Sequence, residues 1–235
     1  MSNKCYNCGD YFKRLSTHWS MSSCEHKTLS DEDIQILTGV LMGDGNVDMH
    51  FKNSRFSCSN INVDYLNYLD KNINIPSEVN ISNTKEECVE RDIDSGFNKN
   101  AEVENYSDIY RWRTISHPVL NKFNCWYSSG KKKFPESIEL SPTVLKHWYC
   151  CDGSYNINSG YNSISIGVSN EIGNRDKINS YFKEKNLPKP SWSTRDRVKG
   201  DGINACIWFK SKETDILFDY MGDPLPGFEY KWPDK

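Results

Sequence analysis

Leu37–Gly45 reads LTGVLMGDG and Leu145–Gly153 reads LKHWYCCDG, and each stretch brings an apolar run to an end in Asp-Gly. A helix that buries its apolar face and stops at Asp-Gly holds one carboxylate at a fixed point, because glycine leaves the helix where a Cβ would clash. Two such helices packed together set two carboxylates side by side. Paired carboxylates repel unless a cation lies between them, and a hard divalent ion such as Mg²⁺ suits that oxygen pair. The two stretches therefore predict metal-assisted chemistry at a pseudo-twofold axis, with one acid from each half.

Outward from the first stretch, Ser30 caps a helix with Asp33 at its third position, and Ile34, Leu37, Val40 and Leu41 form its apolar stripe. Alternation over roughly 46 to 59 predicts a hairpin. Tyr65, Leu66, Leu69 and Ile73 predict a helix, Ile109 to Ile115 a strand, and Pro118 opens another helix through Trp126. The second half repeats the order. Ser141-Pro142 starts a helix to Cys151, Ser154 to Ser169 form two strands, and Glu171 to Asn186 carry helical spacing. Trp192 to Val198 and Ile203 to Phe209 form a hairpin, and Thr214 to Met221 a closing helix. An α+β architecture of two αββαββα repeats explains 235 residues. The expected division is 1–29, 30–139 and 140–235.

The first 29 residues differ in kind, with Cys5, Cys8, His18 and Cys24 around Phe12 and Leu15. A Cys-x2-Cys knuckle followed by His and Cys predicts a tetrahedral Zn²⁺ site with a minimal core. His26 in place of Cys24, or Cys58 or Cys88 from the main body, would complete the set equally. Nine cysteines, with Cys150 and Cys151 adjacent, point to reduced thiols or metal ligands rather than a disulfide framework. No apolar run is long enough to span a bilayer and no basic-then-apolar leader follows Met1, so the expected address is cytoplasmic, away from membranes.

The net charge of −3 argues against a polyanionic partner only until its distribution is considered. Between Glu86 and Asp108 eight acids stand against Arg91 and Lys99, a local −6 that leaves the rest of the chain at +3. That Asn-, Ser- and Gly-rich segment reads as a solvated loop or insertion. Elsewhere the strands alternate: Ile164, Ile166 and Val168 fall on one face, Ser163, Ser165 and Ser169 on the other. Arg111 and Arg113 share a face, as do Arg195, Arg197 and Lys199. With Arg55, these basic residues are the candidates for contact with DNA.

These motifs resemble the LAGLIDADG homing endonucleases, in particular the single-chain, two-motif subgroup exemplified by the yeast mitochondrial large-rRNA intron endonuclease. The likeness extends beyond the two nonamers. Trp126 to Pro135 (WYSSGKKKFP), then Leu140-Ser141-Pro142 and the second motif, is similar to that subgroup's lysine pair, apolar-Pro step and aromatic-centred motif; Tyr230-Lys231-Trp232-Pro233 is similar to its closing segment. The resemblance covers Ser30 to Pro233 and implies a saddle-shaped DNA-binding surface. It implies that Asp44 and Asp152, with the carbonyls of Gly43 and Cys151, bind Mg²⁺ near a scissile phosphate, and that Lys132 and Lys231 are the basic active-site residues, Lys131 and Lys133 being able to exchange roles with Lys132. It further implies a monomer that cuts both strands of a duplex and leaves short 3′ overhangs. A catalytically silent binder such as an intron maturase or regulator, and a zinc-dependent interaction protein, are the competing classes. The first motif has Gly39 and Gly43 where the second has His147 and Cys151, which predicts asymmetric helix packing; His147, Trp148 and Tyr149 read as packed side chains.

Overall fold

The computed structural model describes residues 3–5, 8–15, 17–18, 28–50, 52–158, 161–196 and 202–233. Cys24, His26, Arg197 and Lys199 lie outside them. The chain divides into two compact units, Met1–Asp33 with Gly45–Asn124, and Ile34–Asp44 with Cys125–Lys235. The first motif helix therefore belongs, from Ile34 onward, with the C-terminal unit.

In the N-terminal unit a two-stranded ribbon pairs β1 (Asn3–Lys4) with β2 (Tyr11–Phe12). The helix α1 (Asp31–Met42) begins at a reciprocal cap: Asp33 donates its amide to Ser30 Oγ at 3.0 Å, and Ser30 donates its amide to Asp33 Oδ2 at 2.8 Å. Three acids in the first turn complement the helix dipole. Then come β3 (Gly45–His50), β4 (Asn53–Asn60), α2 (Val63–Asn72), β5 (Ser77–Asn83), α3 (Lys85–Asp94) and β6 (Ile109–Thr114). The sheet is antiparallel in the order β3-β4-β6-β5. Phe56, Cys58, Trp112 and Thr114 are buried on its core face, and Tyr65, Leu66 and Leu69 of α2 join that core.

In the C-terminal unit α4 (Pro142–Asp152) starts with Ser141 Oγ accepting the Val144 amide at 3.2 Å and Pro142 in its first turn, where the missing N–H costs nothing. It is followed by β7 (Gly153–Asn158), β8 (Tyr161–Gly167), α5 (Arg175–Glu184), β9 (Ser191–Asp196), β10 (Ile203–Lys210) and α6 (Ser211–Met221). This sheet is antiparallel in the order β7-β8-β10-β9. Ile164, Ile166, Ile207 and Phe209 fill its core face with Trp148, Tyr181 and Phe182. The expected mixed architecture with two four-stranded sheets is present.

Three local expectations change. The acidic segment is not all loop: Thr84 and Glu87 form a reciprocal cap that nucleates α3, which buries Cys88 and Val89. The segment after Pro118 is a 3₁₀ run, Pro118–Tyr127. Glu171 does not open one continuous helix: its buried carboxylate accepts the Phe134 amide at 3.1 Å and the Asn174 side chain at 2.6 Å, and its own backbone is non-helical inside the 3₁₀ segment (Ser169–Asn174) that precedes α5.

Within the C-terminal unit the backbones of α1 and α4 nearly touch. A Cβ at Gly39 would lie 2.5 Å from Val144 O and 2.7 Å from His147 Cβ, and one at Gly43 would lie 2.2 Å from Cys151 Cβ. The asymmetry expected from the two motifs is the packing rule itself: glycines on one helix receive side chains from the other. His147 is consequently 1% exposed, and burial, aided by the Lys146 charge, pushes its imidazole down to about 3. Because the unfolded ring titrates near 6.5, a proton is taken up on unfolding between those values, so stability is full above pH 6.5 and falls as pH drops below it. Between pH 7 and pH 5, urea unfolding is expected to show wild type losing about 2 kcal/mol relative to His147→Gln, in which the other titrating groups are unchanged; equal pH dependence in the two proteins would refute the burial of a neutral ring.

Candidate active site

Asp152 ends α4, and Asp44 follows α1 by two residues, Gly43 between. Neither glycine after the acids uses a left-handed backbone. Gly153 is extended at φ −89°, and its need for glycine is steric, since a Cβ there would sit 2.1 Å from the Tyr149 ring. Asp44 is exposed and Asp152 half-buried. Burial and then the Asp44 carboxylate push Asp152 up to about 7, while Lys132 and Lys231 oppose that rise. The two acids and two lysines thus share one electrostatic field within a single unit.

Each lysine is delivered by a short anchored segment. Lys132 donates from Nζ to Gly43 O at 2.5 Å. Its neighbour Lys133 is engaged elsewhere, donating to Asn170 O at 2.7 Å, and Lys131 is exposed. Phe134 locks the segment: its amide is held by Glu171 and its ring packs edge-on against Trp126 and Trp148, each 5.7 Å away. On the other side Lys231 donates to Cys150 O and Gly153 O, each at 2.7 Å, with its ammonium 5.0 Å from the Phe228 ring. Tyr149 OH donates to Lys231 O at 2.8 Å, and Trp232 packs on Tyr149 at 5.2 Å. Burial lowers the affinity of Lys231 for its proton, and Asp44 and Asp152 partly restore it.

The structure brings together the two acids and two lysines that the sequence singles out, and adds residues that hold their segments in place and that the sequence did not single out. Neither Glu171 nor Tyr149 carried a signal: an acid in the polar stretch Ser169–Asn174 and an aromatic inside a helix give no hint that each holds a distant backbone.

At the N-terminus Cys5 Sγ, Cys8 Sγ and a His18 ring nitrogen all lie within 4.8 Å of one another, Cys8 Sγ being 3.4 Å from His18 Nε2. Phe12 stacks on the His18 ring at 3.6 Å and steadies it. Cys58 and Cys88 are buried elsewhere and do not join this group.

Arg55, Arg111 and Arg113 share the face of the N-terminal sheet opposite its core, in register with Asp48, Asn80 and Glu78 respectively. Arg195 is exposed on β9, an edge strand of the C-terminal sheet.

Two paired strand layers, each entered from a motif helix that ends at an acid, define a two-motif α+β protein with a carboxylate pair flanked by lysines. Residues 34–217 match the LAGLIDADG DNA endonuclease family, and the chain belongs to it. The homing endonuclease I-WcaI bound to its DNA recognition sequence has a similar fold at 15% identity, with a TM-score of 0.66 over 93% of this chain and 97% of that one. The meganuclease I-SmaMI bound to uncleavable DNA matches with a TM-score of 0.49 at 8% identity over 86% and 88%. The N-terminal LAGLIDADG domain of WhiA matches with a TM-score of 0.47 at 13% identity over 85% of each chain. No curated protein matches the sequence. No helix among the described residues is long and apolar enough to cross a membrane.

The helix contact beneath the acids is directly testable. Gly43→Ala forces Cys151 to move and is expected to cost about 1–3 kcal/mol in urea unfolding, whereas Gly173→Ala, with nothing within 4 Å of the added Cβ, stays within about 0.5 kcal/mol of wild type. Equal midpoints for the two variants would show that α1 and α4 do not meet at Gly43.

Proposed function

We propose that this chain is a site-specific endonuclease that hydrolyses one phosphodiester bond in each strand of a DNA duplex, leaves short 3′ overhangs and acts as a monomer. The observation that carries the reading is the convergence of Asp44, Asp152, Lys132 and Lys231 in one electrostatic field. An all-oxygen donor set of two acids and the carbonyls of Gly43 and Cys151 suits Mg²⁺, and a half-buried carboxylate raised by burial and then by its twin favours a cation beside it. Gly43 O already accepts from Lys132, so its second lone pair is the one offered to the ion. When bound, a divalent cation polarises a phosphoryl oxygen and lowers the pKa of the attacking water. The chain's own part is positioning: Lys132 on Gly43 O and Lys231 on Cys150 O and Gly153 O keep positive charge fixed beside the acids, where negative charge develops on the phosphate.

Membership of the single-chain, two-motif subgroup rests on the Lys131–Pro135 and Tyr230–Pro233 segments, and the division into 1–29, 30–139 and 140–235 is part of the same reading. Arg55, Arg111, Arg113 and Arg195, with Arg197 and Lys199, contact the duplex, as the DNA-bound state of I-WcaI supports. Cys5, Cys8 and His18, joined by Cys24, hold a structural Zn²⁺.

With Mg²⁺ and a duplex carrying the target, selected from a randomised library, Asp44→Asn and Asp152→Asn are each expected to lose at least about 100-fold in cleavage while duplex binding persists. Retained cutting in both variants would overturn the site. Binding without cutting by the wild type in any divalent cation would favour a silent nucleic-acid binder such as an intron maturase.

For the N-terminal site, elemental analysis of the purified chain is expected to give one zinc per molecule, lost in Cys8→Ser. A zinc-free wild type that refuses Co²⁺ as well would overturn this assignment without touching the nuclease reading.

A further inference from the structure

The polar face of the N-terminal sheet is chemically unlike that of the C-terminal sheet. β4 and β6 are the two central strands of the order β3-β4-β6-β5, and they place Arg55, Arg111 and Arg113 on one face. Arg111 is already oriented, donating from Nε to Ser59 Oγ at 3.1 Å. Arg55 and Arg113 are different: the Nε of each is sealed from solvent with no hydrogen-bond partner. Carboxylates lie opposite both, Asp48 across from Arg55 and Glu78 across from Arg113, yet neither pair forms an ion pair. Asp48 instead accepts from Asn46 Nδ2 at 2.7 Å. With neither Nε bonded within the chain and neither arginine in an ion pair, both guanidinium groups are uncommitted, and their terminal nitrogens can meet an acceptor pair from outside.

In the C-terminal sheet the central strands β8 and β10 carry no arginine at all. The equivalent face presents Ser154, Ser163, Ser165, Cys206 and Trp208, with Lys210 drawn over the Trp208 ring at 5.5 Å. Its one described arginine, Arg195, is on the edge strand β9.

A guanidinium fork presents two parallel donors, and the acceptor pair of matching geometry on a duplex floor is O6 and N7 of guanine. Contacts to phosphates position a protein on a duplex without reading its sequence, whereas a fork aimed at the groove floor reads base edges. We propose that the half-site read by the N-terminal sheet is selected for guanine, through Arg55 and Arg113, and that the half-site read by the C-terminal sheet is not. This rests on the endonuclease reading above. Serine hydroxyls accept and donate alike, so the second face tolerates more base changes, whereas each arginine rejects a base that lacks the paired acceptors.

The test uses the full chain as Asp152→Asn and selects bound duplexes from a randomised library. Guanine is expected at two or more positions of one half-site, and adding Arg55→Ala or Arg113→Ala is expected to erase the preference at one of those positions each, leaving the other half-site unchanged. Replacing that guanine should weaken binding about tenfold or more for the parent and little for the matching variant. Arg113→Lys, which keeps the charge but not the fork, should also lose the preference while retaining the salt dependence of binding. Uniform weakening on every sequence, with a salt slope reduced by about one per arginine, would assign the residues to phosphates and overturn the proposal. Sequence-selective binding with no guanine that responds to either arginine would overturn it as well. Failure to select any duplex would bring down the endonuclease reading, and this proposal with it.

Discussion

The close approach of α1 to α4 is the constraint on which the site depends. Gly39 and Gly43 remove every side-chain atom between the α1 backbone and Val144, His147 and Cys151. With larger residues the helices would stand a side chain further apart, and the acids at their ends would separate with them. Backbone contact instead carries Asp44 close enough to Asp152 for its charge to raise the second carboxylate. The cost falls on α4, whose His147 is held neutral and buried so that Gly39 can be filled.

Two carboxylates forced together need positive charge nearby, and the chain supplies some of it from both directions. Lys132 arrives on a segment clamped by Phe134 and Glu171, and Lys231 on one clamped by Tyr149 and Trp232. Both ammonium groups donate to backbone carbonyls at the helix ends. Carbonyls at a helix C-terminus carry partial negative charge, so each lysine is held by the helix that presents the acid.

Much of the fold is legible in local signals of the sequence. Apolar spacing and the Asp-Gly ends placed α1 and α4, and the reciprocal cap of Ser30 and Asp33 marked where α1 starts. The cap at Thr84 and Glu87 was equally legible, but the density of acids around it masked the helix it nucleates. What sequence could not supply was tertiary. Three consecutive lysines are equivalent on paper, and only the folded chain shows that Lys132 reaches Gly43 O while Lys133 bonds to Asn170 O. The partnering of Glu171 with Phe134 spans 37 residues, and that of Tyr149 with Lys231 spans 82, distances at which no periodicity operates.

The two halves repeat one topology without repeating one chemistry. Lys132 grips a single carbonyl where Lys231 grips two, glycines oppose a histidine and a cysteine, and arginines occupy central strands in one sheet where serines stand in the other. A symmetric pair of identical chains could not hold such differences, since every change would appear twice. A single polypeptide can vary each half alone while the shared helix contact stays intact. Divergence is therefore free on the sheet faces and constrained at Gly39, Gly43 and Gly153, where an added methyl would collide with backbone or with a buried ring. That division leaves the sheet faces open to change and fixes the helix contact that holds the two acids together.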